Sequence, residues 1–444
     1  MLTLGVFCLF QGLVGVWAGP EASTARRLVL NIDEFVIVAA SWGLLWVLLL
    51  RPYPLNLPVW RACALFMLVA VVASLVAEVP LSIWGPQLLL TMKGWLLFFI
   101  FATGQPSLHR LSRYVRLVAF AGLVIVAGAA FELVSPQAFA ALAGRPPSGE
   151  VRGGILSVES FFVHPGDFGW FTTLLALYAF AFYAVLRRRA HALLSLLCTV
   201  AALLSMRRCA VVGLAVAVAA ALFILPRRRG LVAASLLCAA ALALAFHGPL
   251  ASLVEHTQQT YWTAGHRQAR VLLYEKSVQV AADYFPLGAG LGRYGSWMSR
   301  VHYSPLYEQY GLSGVWGLRP DMDHFINDAF WPMILGETGV LGLALYGWMA
   351  ASLLSICWRG YRRLAQPLGR AFCLGTLLVL VQALVSSLAN PVLTAPPEVY
   401  FLFGGAGMAA ALANQGGDAG GAAGRPGPPV RRWRRPLALG AGRR

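Results

Sequence analysis

Charge is scarce in this chain: 12% of its 444 residues are charged, against 59% hydrophobic ones. That balance excludes a soluble globular protein, which needs far more polar surface. Local absences say more than the total. One set of short loops has no acid at all: it holds Arg51 and Arg61; Arg110, Arg113 and Arg116; Arg187 to Arg189; Arg227 to Arg229; and Arg359, Arg362, Arg363 and Arg370. The alternate loops carry nearly all the Asp and Glu, plus a handful of arginines. Because Arg and Lys mark cytoplasmic loops, the asymmetry orients a multi-pass membrane protein and puts its polar chemistry on the outer face.

Further absences narrow the reading. None of the seven cysteines falls in the long outer loop, and no Cys-x-x-Cys spacing occurs, so neither a disulfide framework nor a metal site is expected. The start, Met1 to Phe7, has no Lys or Arg. A signal peptide normally carries basic residues there, so the first apolar stretch is read as a retained helix despite the Val16-x-Ala18 pattern. No period of 20–50 residues repeats. The net charge of +17 sits mainly in the Arg-bearing loops and the tail. It therefore reports topology and contact with anionic lipid rather than binding to nucleic acid.

What is present is a series of apolar stretches, each near the ~20 residues a helix needs to cross a bilayer. They cover 1–18, 29–50, 59–78, 85–103, 115–134, 168–186, 190–205, 209–226, 230–247, 329–356, 371–390 and 397–414. The fold class expected is all-α: a polytopic membrane protein of about twelve helices with one large outer loop containing short helices. Residues 1–413 form the membrane domain, including the loop 248–328. Residues 414–444, rich in Gly, Ala, Pro and Arg, are read as a disordered basic cytoplasmic tail.

The loop holds Trp262, Tyr274, Tyr294, Trp297, Tyr303, Tyr307, Tyr310 and Trp316. Such a density suits a layer at the membrane surface or stacking against sugar rings, and both readings stand. Arg267 to Tyr284 has helical periodicity, with Val271, Leu272, Val278 and Ala282 on its apolar side and Arg267, Arg270 and Tyr274 sharing a face. Lys93 lies in the outer half of an apolar span, where snorkelling could bring it to the interface.

Three outer features carry candidate chemistry. Arg152, Arg207, Arg208, Arg267 and Arg270 present guanidinium forks, whose geometry matches phosphate oxygens, so the set points to an anionic lipid headgroup such as a diphosphate. The run Asp321-Met322-Asp323-His324-Phe325-Ile326-Asn327-Asp328 leads into a membrane helix. His324 and Asp328, four apart, are candidate proton acceptors, while one of the run's Asp or Asn residues is expected to cap the helix. Glu337, inside that helix, is read as a supporting acid paired with an arginine. The stretch Pro286 to Gly292 is glycine-rich without the spacing of a dinucleotide-binding loop, which fits a tight turn or a close backbone approach.

Four patterns over residues 150–345 resemble the bacterial O-antigen ligases and O-antigen or exopolysaccharide polymerases. They are Arg152-Gly153 with Phe162-x-His164-Pro165; Ser205-Met206-Arg207-Arg208-Cys209-Ala210; Arg270-x-x-x-Tyr274 with Pro286-Leu287-Gly288-Ala289-Gly290; and Glu337-Thr338-Gly339-Val340-Leu341-Gly342-Leu343. Where the family has His-Asn nine residues before its glutamate, this chain has Asp328-Ala329. The resemblance implies a GT-C-like fold in the inner membrane and a cofactor-free, metal-independent glycosyltransferase facing the periplasm. Its donor would be a glycan on undecaprenyl diphosphate. Arg208 and Arg270 would bind the diphosphate, with Arg207, Arg267 and Arg152 beside them and Tyr274 and Glu337 in support; His324 or Asp328 would be the base. The acceptor is a growing glycan for a polymerase, or lipid A core for a ligase. A flippase and a chain-length regulator are the implied partners. A transporter of lipid-linked sugars is the rival from another class. It would show charge near mid-membrane and paired broken helices from internal repeats.

Overall fold

The computed structural model describes residues 2–19, 23–50, 58–104, 107–147, 149–152, 155–225, 229–230, 232–233 and 268–421. Helices α1 (Leu2–Trp17), α2 (Thr24–Leu50), α3 (Pro58–Val76), α4 (Leu81–Thr103) and α5 (Leu108–Val134) come first. A short α6 (Pro136–Ala143) and the antiparallel pair β1 (Val151–Arg152) and β2 (Ile155–Leu156) follow. Next are α7 (Pro165–Leu186), α8 (Arg189–Leu204) and α9 (Arg208–Ile224). After these come α10 (Ala269–Asp283), α11 (Trp297–Val301), α12 (Leu306–Gln309), α13 (Phe330–Arg363), α14 (Pro367–Ser386) and α15 (Glu398–Gly421).

Among the described residues, seven helices are long and apolar enough to cross a membrane: α2, α3, α4, α5, α7, α13 and α14. Helices α1, α8 and α9 are apolar but shorter. The expected span 230–247 lies outside the described residues apart from 230, 232 and 233, as do Trp262, Arg267 and the tail beyond 421. Helix α15 extends past the expected span end at 414, as far as the last described residue, Gly421. Extending an anchored helix adds one hydrogen bond per residue ordered, without a new nucleus.

Helix α7 is central and apolar on all sides because it packs on α8, α9 and α14. Helix α4 packs on α15, and α3 on α13. Lys93 and Asp33, both buried, have polar partners, since an isolated charge at depth is costly. Lys93 is held by Glu34, its Nζ lying 3.3 Å from Oε1. Asp33 accepts from Gln11 Nε2 at 2.7 Å and from the Tyr400 hydroxyl.

The large loop builds a second small core from Leu273, Val280, Tyr294, Leu306, Tyr307, Leu312, Leu318 and Ile326. Two of the loop tyrosines are thereby structural. Tyr294 donates its hydroxyl to Leu273 O at 2.8 Å, and Tyr307 Oη accepts from Gly295 N–H at 2.9 Å. Helix α10 lies where the periodicity puts it, but its buried side is Leu273, Ser277, Val280 and Ala281, while Val278 is 61% exposed. The expected apolar stripe is thus rotated, because this face is chosen by the loop core rather than by the helix's own pattern.

The loop docks on a break in α13. Gly339 has φ +63° and ψ −165°, and Gly288 has φ +79°. A Cβ on Gly339 would sit 2.3 Å from Pro286 O, and one on Gly288 2.4 Å from Gly339 N. Ala289 N–H and Gly290 N–H donate to Gly336 O and Glu337 O at 2.9 and 3.0 Å. The glycine-rich stretch therefore approaches another stretch of backbone. Glu337, 1% exposed, pairs with no arginine among the described residues: its carboxyl group accepts the N–H groups of Gly292, Arg293 and Tyr294 and the Ser296 hydroxyl.

Candidate functional site

The polar residues of one end of the bundle surround a cavity of about 820 Å³. The N-terminal ends of α7, α9, α10 and α15 all contribute: Gly166 and Asp167, with Trp170 one turn on; Arg208, Cys209 and Ala210; Ala269 and Arg270; and Glu398. Helix N-termini carry unsatisfied N–H groups and partial positive charge, so four of them facing one space favour an anion there. Arg152, Arg207, Arg208 and Arg270 line this same cavity. Cys209 is within electrostatic reach of Arg208, Arg270 and Asp328, which places those three groups around one point.

Local structure explains how each guanidinium is held. The connection from α8 to α9 turns at Met206, with φ +50°, so that Arg207 and Arg208 immediately open α9. Ser157 Oγ donates to Ser205 O at 2.8 Å and Val158 N–H to Leu204 O at 3.2 Å, seating the segment after β2 on that turn. The segment is fixed in turn by Glu132, which accepts the N–H groups of Glu159 and Ser160 at 3.1 and 2.6 Å, and by Arg145, which pairs with Glu132 and Glu159. Glu150 bridges two arginines: Arg152 Nη2 lies 2.6 Å away, and Arg207 pairs with its other oxygen. Burial and the neighbouring Arg152 both push Arg207 below the usual arginine range, which the Glu150 carboxylate opposes.

On the opposite wall, Arg270 Nη2 lies 2.5 Å from Asp328 Oδ2. Burial raises the Asp328 carboxyl above its ordinary value; Arg270, and then Arg207 and Arg300, work against that rise. His164 caps α7 by accepting from Gly166 N–H through Nδ1 at 3.0 Å. Its surroundings and the Arg207 charge lower it to about 4. The imidazole is therefore neutral near pH 7, and with Nδ1 accepting, its Nε2 carries the proton.

Of the residues singled out in the sequence, Arg152, Arg207, Arg208, Arg270 and Asp328 come together, and His324 does not. Helix α13 begins at Phe330, so residues 324–328 form turns and the four-residue spacing puts His324 and Asp328 on no common face. His324 is exposed and does not line the cavity. No Asp or Asn caps α13 either; its N-cap is Ala329. The other acids of the run are engaged elsewhere, Asp321 with Arg319 and Asp323 with Arg300 at 3.1 Å. Tyr274 acts at a distance, donating its hydroxyl to Leu388 O at 2.8 Å and so tying α10 to the segment after α14.

Sequence reasoning missed Glu150, Trp170, Gln382 and Glu398. The available signal was a lone Gln and a lone Glu in otherwise apolar helices, since polar groups at that depth usually face an interior. Trp316, 63% exposed, also lines the cavity, stacked edge-on to Phe325 at 5.2 Å. It sits on a tight hairpin in which Phe325 N–H donates to Gly317 O at 2.9 Å.

No curated protein matches this chain. Residues 193–347 match the family model described as O-antigen ligase; that stretch includes Arg207, Arg208, Arg270, Asp328 and the Gly288–Gly339 docking. This segment, about a third of the chain, is similar to the O-antigen ligase family.

Proposed function

We propose that this chain is a glycosyltransferase of the inner membrane whose cavity faces the periplasm. In this reading it joins lipid-diphosphate-linked oligosaccharide repeat units of an exopolysaccharide or O-antigen. The observation that carries the proposal is the convergence of Arg152, Arg207, Arg208, Arg270 and Asp328 on one cavity bordered by four helix N-termini. That arrangement supports binding of a diphosphate, whose oxygens match guanidinium forks and N-terminal N–H groups.

The chemistry follows from the placement. An acceptor hydroxyl oxygen attacks the anomeric carbon of the donor, and the bond from that carbon to the diphosphate oxygen breaks. The electron pair leaves on the diphosphate, where Arg208 and Arg270 stabilise the developing charge. Asp328 takes the hydroxyl proton, a role favoured over His324 by its position on the cavity wall. A diphosphate oxygen arriving at Arg270 shares that guanidinium with Asp328, which loosens the ion pair as the donor binds. The reaction as written needs no metal.

The family description favours a second reading, a ligase that moves the finished glycan onto lipid A core. Purified protein incubated with undecaprenyl-diphosphate-linked repeat units separates the two. Chain growth with release of undecaprenyl diphosphate supports a polymerase; transfer only to added lipid A core supports a ligase. Movement of the lipid between leaflets without bond cleavage would overturn both in favour of transport.

A further inference from the structure

The arginine-lined wall accounts for only part of the cavity. Gln382 on α14, Trp170 on α7 and Glu398 on α15 line it as well, and all three side chains are at least nine-tenths buried. Each has a polar atom with no hydrogen-bond partner among the described residues: Gln382 Oε1, Trp170 Nε1 and Glu398 Oε2. Buried polar atoms are almost always paired, and an unpaired one costs roughly 1–3 kcal/mol. Three from three different helices, on one cavity, mark a place where a ligand completes the bonding.

The chemistry of these atoms specifies the ligand. Gln382 Oε1 and Glu398 Oε2 accept, and Trp170 Nε1 donates. Asp167 lies beside them, within electrostatic reach of Glu398 on one side and Arg207 on the other. With Asp167 and Glu398 already this close, a further carboxylate would add like charge to a buried acid pair, in contrast to the guanidinium wall. A hydroxyl group satisfies both sides of the set, donating to an acceptor and accepting from the indole. The amide of Gln382 is held in a suitable orientation, because its Nε2 donates to Ser386 Oγ at 3.0 Å and leaves Oε1 for the cavity.

We infer that Asp167, Trp170, Gln382 and Glu398 form a subsite for a neutral, hydroxyl-bearing sugar residue, and that an acidic sugar is rejected there. This inference rests on the diphosphate reading above, with the sugar occupying the cavity alongside the lipid diphosphate.

Binding to the full-length protein in nanodiscs tests it, with three probes: undecaprenyl diphosphate, the same lipid bearing a neutral hexose, and the same lipid bearing a hexuronate. Two or three hydrogen bonds of ordinary net strength predict that the hexose lipid binds about tenfold tighter than the bare lipid. The hexuronate lipid should bind at least about tenfold weaker than the hexose lipid. Gln382→Met and Trp170→Phe should each reduce the hexose preference while leaving bare-lipid affinity unchanged. Equal affinity of the wild type for all three lipids overturns the subsite alone. Failure of the bare lipid to bind, or equal binding by Arg270→Ala, overturns the diphosphate reading and the subsite with it.

Discussion

At the scale of single residues, the Arg270–Asp328 pair decides most. Sequence spacing assigned a ligand role to one and a base role to the other, yet nothing in it says that they touch. Truncating Arg270 to Ala removes a charge-stabilising donor and takes away the partner of a half-buried acid, so turnover should fall at least about 100-fold while expression and membrane insertion are retained. Wild-type turnover in that variant would refute the assignment. Asp328 works as a base only when ionised, and burial raises its carboxyl above the ordinary 3.8. Activity should therefore fall on the acid side with a limb displaced upward from that value, and the limb should vanish with the activity in Asp328→Asn. His164, held near 4, is neutral across the assay range and should contribute no limb of its own. A pH profile of His164→Gln with the same shape as wild type would agree; a displaced one would not.

At the scale of elements, the broken α13 and the stretch Pro286 to Gly292 act as one joint. Both patterns were visible in the sequence, but their mutual contact was not, because two glycine motifs far apart in the chain carry no mark of their partner. An Ala at Gly339 adds a Cβ against Pro286 O and forces a left-handed backbone, a conformation costing about 1–3 kcal/mol even before the clash. Thermal unfolding of detergent-solubilised Gly339→Ala should occur several degrees lower than wild type. Glu337→Leu should be worse, since it deprives three backbone N–H groups and a hydroxyl of their shared acceptor. A melting curve unchanged by Glu337→Leu would contradict this account. The rotation of the buried face of α10 has the same origin. Its own periodicity is weak, so the aromatic core beneath it sets the face.

At the scale of the whole molecule, the acid-free, Arg-bearing loops and the cavity occupy opposite ends of the long helices. Helix α7 runs from His164 and Asp167 at the cavity to Arg187 to Arg189 at the other end, and α13 runs from Asp328 to Arg363. The charge asymmetry predicts that the cavity end faces outward. In a cysteine-free background, Trp316→Cys should react with a membrane-impermeant maleimide on intact cells and Arg363→Cys should not. The reverse pattern would invert the topology and remove the proposed access of a periplasmic donor.

By itself, the amino-acid sequence determined that this chain is helical and rich in membrane-length spans, and it predicts an orientation, because hydropathy, helix length and loop charge are local quantities set against a fixed bilayer thickness. It also supplied the arginines, since guanidinium on an otherwise acidic face stands out without any knowledge of contacts. Only the tertiary structure decided which of them meet, that Asp328 rather than His324 lies on the cavity wall, and that Glu337 binds backbone N–H groups. It alone showed that Gln382, Trp170 and Glu398 share one space. Those facts depend on how helices pack and where turns break them, and such long-range geometry leaves no periodic trace in the chain.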